Sequence, residues 1–235
     1  MLRRLAPIAG RIIVLLAVLY GVLVGIGLLL TTVFEKSALI REEREVNESL
    51  ADGRTPTMDD VTYVLSGLGN TGAIIGAMLV VAIALRLASK KWTLSVFLVL
   101  AVSAQALVFL LVTLTISRQR PDVKKLDDSP PTSSFPSGHT GAATALFLAS
   151  ALLVAWYVKR RWVKILALTL LVAVPLLVAY GRLYRGMHHP TDLGGAYING
   201  IASITIAATS VLRGGRRGGG GPDPFPAPTT TGATA

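Results

Sequence analysis

The chain contains no cysteine, which removes disulfides, thiolate nucleophiles and cysteine-held metals from consideration. Charge is scarce: Asp, Glu, Lys and Arg together make up 15% of the residues, against about a quarter in an ordinary soluble domain. Acid is scarcer than base, 13 residues against 23, and histidine occurs only three times. No A-x-A-like cleavage site follows the first apolar segment, which is also too long for the core of a signal peptide, so an uncleaved helix is expected there. No internal repeat is evident. What is abundant is hydrocarbon. Hydrophobic residues make up 52% of the 235 and the mean hydropathy is +0.60, so a large share of the chain belongs in lipid, and the length suits one domain.

Six apolar segments approach the ~20 residues that a helix needs to cross hydrocarbon. They cover roughly 12–34, 70–89, 93–116, 138–158, 163–184 and 193–212. The expected fold is therefore all-α: an integral membrane six-helix bundle over 1–212. The Gly/Pro/Thr-biased segment 213–235 is expected to be a disordered tail. Arg86 sits near the end of the second span and can snorkel. Pro175 lies inside the fifth, which a spanning helix tolerates. The sixth carries Gly194, Gly195, Ala196, Gly200 and Ala202, small residues that suit close helix packing.

The net charge of +10 could indicate nucleic acid, but no soluble part is large enough to present a basic face. Membrane topology accounts for it better. With the N-terminus in the cytoplasm, Arg3, Arg4, Arg11, Lys90, Lys91, Lys159, Arg160, Arg161, Lys164, Arg213, Arg216 and Arg217 all fall inside. The net-acidic 35–60 segment, with a short amphipathic helix in it, the Pro/Ser-rich 117–136 segment and the 182–192 connection fall outside. This agrees with the bias of Lys and Arg toward cytoplasmic connections. Both termini are expected in the cytoplasm of a multi-pass plasma-membrane protein.

That orientation gathers all three histidines on one face. "PSGH" at 136–139 opens the fourth span, where Ser137 can cap the helix, Gly138 lets backbone approach a ligand, and free N–H groups favour an anion. Arg120 and Arg182 carry planar forks that match phosphate. His188 and Asp192 are four apart and are expected to share a helical face, so that the carboxylate orients one ring nitrogen and frees the other for attack. Each piece alone has a plainer reading as a cap, an interfacial turn or a headgroup anchor. Convergence from three connections favours a site. A metal site built from His139, His188, His189 and Asp192 is disfavoured, because the arginines repel a cation and no second carboxylate stands at ligand spacing.

The blocks "RQRP" (118–121), "PSGH" (136–139) and "GRLYRGMHHPTD" (181–192) resemble the signature of the type 2 phosphatidic acid phosphatase superfamily: K-x6-R-P, then P-S-G-H, then S-R-x5-H-x3-D. Two departures stand out. Gly181 replaces the usual Ser, and Thr113 stands where the lysine belongs, with Arg118, Lys124 and Lys125 as candidates to replace it. The resemblance implies a metal-independent, cofactor-free hydrolase of a lipid phosphate, either phosphatidic acid-like or a polyprenyl diphosphate, at the outer face. By position, His188 attacks phosphorus, Asp192 orients it, and His139 protonates the leaving oxygen and then activates water. Arg120, Arg182, Ser137 and Gly138 hold the phosphate oxygens. The alternatives are a phosphotransferase with an alcohol acceptor and a non-enzymatic lipid transporter. The transporter lacks support, because few ionisable residues lie within the spans.

Overall fold

The computed structural model describes residues 2–129 and 131–212; the expected disordered tail lies outside the described residues. Among these there are eight helices and no strand: α1 (Leu2–Leu28, continued by a π-helical stretch Leu29–Val33), α2 (Ala38–Asp52), α3 (Pro56–Gly67), α4 (Thr71–Ser89), α5 (Thr93–Thr115), α6 (Gly138–Tyr157, with a π-helical stretch Thr144–Leu148), α7 (Arg161–Tyr184) and α8 (Pro190–Ala207, continued by Ala208–Leu212). Six of them, α1 and α4 to α8, are long and apolar enough to cross a membrane. They fall where the apolar runs predict, although the first begins before residue 12 and the last begins at Pro190. The chain is a multi-pass membrane protein.

The bundle is built around α5, which packs against α1, α4 and α8. One core cluster joins Phe97, Leu98 and Ala101 of α5 to Leu146 of α6, Val178 of α7 and Ile204 of α8. A second joins Leu23 of α1 to Val108 and Val112 of α5, Phe135 and Ile206. Small residues let the helices close up: a Cβ on Gly200 of α8 would lie 2.6 Å from the Thr144 side chain of α6. Outward faces remain apolar, as at Val80 and Leu87 of α4 and Leu170 of α7. Arg86 stacks over Trp92 at 5.2 Å on the turn into α5, an aromatic counterpart of the expected snorkelling.

The acidic 35–60 segment is more ordered than its composition suggests. It forms all of α2 and the start of α3, and neither is a membrane span. Thr55 caps α3 through Met58 N–H at 3.3 Å, ahead of Pro56 in the first turn. Arg54, between the two helices, donates to the Tyr184 carbonyl at the end of α7 from Nε (3.0 Å) and from its second terminal nitrogen (2.8 Å). Thr55 N–H donates to the Tyr184 hydroxyl at 2.9 Å. The α2–α3 hairpin is thereby strapped to the end of α7, beside the connection that carries two histidines.

Candidate active site

A cavity of about 750 Å³ opens among α3, α4, α5 and the start of α6. One wall is apolar, with Ile74, Ile75, Val102, Ala106, Phe109 and Leu110. The other end is polar, with Arg120, Asp127, His139, Arg182 and His188. Three chain segments far apart in sequence meet at that end.

Local rules place the histidines. The Ser137 hydroxyl accepts from Thr140 N–H at 3.4 Å and caps α6, so Gly138 and His139 begin the helix at the cavity wall. After α7 the chain turns through Gly186 at φ +70°, a conformation that other residues rarely adopt. His188 follows, then His189 in extended conformation, and Pro190 opens α8. Asp192, in the first turn of α8, accepts from His189 N–H at 2.8 Å, the acidic half of a helix-start lock.

The shared helical face expected for His188 and Asp192 is not found, because Pro190 starts the helix after His188. Nδ1 of His188 stands 3.6 Å from the Asp192 carboxylate, beyond hydrogen-bond reach, and donates instead to the Ser134 carbonyl at 2.8 Å. Asp192 takes the Ser134 hydroxyl, His189 N–H and Arg118. Ser134 thus links the carboxylate, through its hydroxyl, to the ring, through its carbonyl. With Nδ1 holding its proton, Nε2 carries the free lone pair. Burial lowers the His188 pKa to about 4 against the opposing pull of Asp192, so the ring is neutral around neutral pH.

The two forks are held differently. One terminal nitrogen of Arg120 donates to the Met187 carbonyl at 2.7 Å. One terminal nitrogen of Arg182 donates to the Ser66 hydroxyl and to Asp127, both at 2.9 Å. Nε of each is buried without a hydrogen-bond partner. Two unsatisfied guanidinium donors at one cavity are what an anion would satisfy. Burial lowers the Arg120 pKa, opposed by Asp192, but a guanidinium stays charged. Asp127 also pairs with Arg185, 2.8 Å from Oδ1 to Nε. Burial pushes its carboxyl up, but Arg185 and Arg182 outweigh this and hold it below the ordinary value.

The structure thus brings His139, His188, Arg120, Arg182 and Gly138 to the cavity and sets Asp192 directly behind. Ser137 does not line it; its hydroxyl serves the helix start. None of the candidates for the missing lysine faces it either. Lys124 and Lys125 are exposed and outside its lining, and Arg118 is buried on carboxylates. Thr113 returns its hydroxyl to its own helix, at 2.9 Å from the Leu110 carbonyl. Gly181 has a reason for lacking a side chain: a Cβ there would lie 3.1 Å from Ser66 N and 3.3 Å from the Thr62 carbonyl, against α3. Ser66, Asp127, Ser134, Arg185 and Glu43 were not singled out by the sequence. Only the repetition of arginine at 182 and 185 hinted at a shared acidic partner. Among the described residues, no three His, Asp or Glu side chains form a group that could hold a metal ion.

The PAP2 superfamily pattern matches residues 92–216, more than half of the chain. A transmembrane PAP2-type phosphatidylglycerolphosphate phosphatase from Bacillus subtilis superposes with a TM-score of 0.68 at 20% identity, covering 80% of this chain and 93% of that one. LpxE from Aquifex aeolicus superposes with a TM-score of 0.54 at 23% identity, covering 69% of this chain and 92% of that one. Both likenesses are of fold. No curated protein sequence matches.

Proposed function

The chain belongs to the PAP2 superfamily, and on that premise we propose that it is a metal-independent membrane lipid phosphatase working through a phosphohistidine. The observation that carries this reading is the single cavity whose polar end holds two histidines and two arginines with unpaired Nε donors, and whose other wall is apolar. A phosphate fits the first part and a lipid chain the second.

His188 Nε2 attacks phosphorus while Nδ1 keeps its proton on the Ser134 carbonyl. The bond from phosphorus to the lipid oxygen breaks, and His139, which takes up a proton once the phosphate anion is bound beside it, gives that oxygen its proton. Neutral His139 then takes a proton from water, the hydroxide adds to phosphorus, the P–N bond breaks, and inorganic phosphate leaves with His188 neutral again. Arg120, Arg182 and the Gly138 N–H stabilise the charge on the non-bridging oxygens. Ser137 contributes through the helix start that presents that N–H.

The Lys/Arg bias supports cytoplasmic termini and a site on the extracytoplasmic face of the plasma membrane. Substrates there are lipid phosphates of the outer leaflet, either a diacyl monophosphate of the phosphatidic acid kind or a polyprenyl diphosphate. The test is phosphate release from detergent-solubilised phosphatidic acid, phosphatidylglycerophosphate and polyprenyl mono- and diphosphates, with His188→Ala as the blank. Acid-labile phosphate trapped on His188 is the expected outcome. Trapping on Ser137, or cleavage of water-soluble phosphates alone, refutes the reading, and transfer to an added alcohol in place of hydrolysis makes the protein a phosphotransferase.

A further inference from the structure

Arg118 and Glu43 form a buried assembly behind the site. Arg118 donates from one terminal nitrogen to Asp192 and to the Thr191 hydroxyl (2.8 Å), and from the other to Glu43 (2.9 Å). The second Glu43 oxygen accepts from Thr191 N–H at 2.9 Å and from the Thr191 hydroxyl at 2.5 Å. Relative exposures are 3% for Glu43, 8% for Arg118 and 0% for Asp192. One turn further along α2, Asn47 donates to the His188 carbonyl at 3.1 Å. Glu43 and Asn47, four apart, thus present one helical face to the 188–192 turn.

We propose that Glu43, on a helix outside the family-matched region, and Arg118, in the connection after α5, are positioning residues for the His188 reaction, acting through Thr191 and Asp192. This rests on His188 being the nucleophile. A buried carboxylate–guanidinium pair gives little net stability, and burying it is costly unless every donor and acceptor is used. Here they are used on the one turn whose geometry the attack depends on. Two carboxylates share a single guanidinium, so the assembly carries one net negative charge. That charge lies behind a ring that becomes more positive as it bonds to phosphorus. Asp192 passes the constraint on, holding the Ser134 hydroxyl while the Ser134 carbonyl holds Nδ1. Arg118 is excluded as a phosphate ligand because both its terminal nitrogens are engaged on carboxylates and it does not line the cavity.

Glu43→Gln replaces an acceptor of three donors by a group with only one acceptor atom. Thr191→Val removes the bridging hydroxyl while leaving every charge in place. Both are expected to lower kcat on a lipid phosphate with KM within about twofold, Glu43→Gln by about 10- to 100-fold and Thr191→Val by less. Only three histidines occur, so ¹⁵N-histidine NMR of the full chain in detergent reads the tautomer of His188 directly. Wild type is expected to show the Nδ1–H form, and both variants a mixture with the Nε2–H form. If Glu43→Gln does not fold, Thr191→Val decides. The proposal is overturned by a kcat within about twofold of wild type, by a loss carried in KM alone, or by an unchanged tautomer. A wild-type protein inactive on every lipid phosphate defeats the functional reading, and the tautomer experiment still decides whether this assembly holds the ring.

Discussion

His188→Asn tests whether the ring is kept neutral by burial. The amide nitrogen of Asn can take the place of Nδ1 and donate to the Ser134 carbonyl, so the main local hydrogen bond is preserved while the titrating group is lost. In the folded protein His188 titrates at about 4, against 6.5 for an unhindered imidazole. The sign follows directly. Above about pH 6.5 neither folded nor unfolded His188 is protonated, and it makes no pH-dependent contribution. As the pH falls below that, the unfolded chain takes up a proton that the folded chain refuses until about 4, so wild type loses stability relative to the variant. The difference grows to about 1.4 kcal/mol at about pH 5.5 and to roughly 3 kcal/mol below about pH 4. Thermal melts of both proteins in one detergent, between about pH 8 and pH 4, measure it as a widening gap in Tm. Parallel curves mean that the ring is not held neutral by burial, and a gap that widens with rising pH means that it is held charged. Either result refutes the electrostatics set out above, and the second also removes the free lone pair at neutral pH.

Restoring the family residue by Gly181→Ser is expected to lower Tm by the equivalent of about 1–3 kcal/mol. The new Cβ drives α3 outward and loosens Ser66 on Arg182, so KM rises, and a wild-type Tm refutes the close approach. Arg120→Lys or Arg182→Lys is expected to cost about tenfold or more in kcat/KM, because a point charge does not replace a fork. Lys124→Ala combined with Lys125→Ala is expected to leave KM within about twofold, since both are exposed and neither lines the cavity, and a larger rise would restore them as the lysine's substitutes. Single cysteines at Ser49 and Ser129 are expected to react with an impermeant thiol reagent on intact cells and one at Thr229 not to; the reverse labelling inverts the topology.

The spans were legible because a helix in lipid must be an unbroken apolar run, and a run of that kind needs no partner to be recognised. The three polar blocks were legible because each is local: a cap before a helix, a fork beside a span, a histidine before a proline. What joins the blocks was not legible. The i,i+4 spacing of His188 and Asp192 invites a helical reading, yet Pro190 defers the helix and the carboxylate reaches the ring through Ser134, 54 residues from His188. Arg118 looked like a spare phosphate ligand, and its contacts with Glu43, 75 residues away, and Asp192, 74 residues away, show it occupied. Asp127 reads as one acid in a polar loop until Arg182 and Arg185 close on it. Such partners follow from packing, and no spacing rule encodes them.

The strap from α2 and Arg54 to the end of α7 has a consequence for how the protein is made. Asn47 reaches His188 across 141 residues, and Arg54 reaches Tyr184 across 130. During synthesis the N-terminal helices emerge first and wait through four further spans for the turn that they will clasp. A nascent chain halted before the end of α7 presents Asn47 and Arg54 without the turn that they hold.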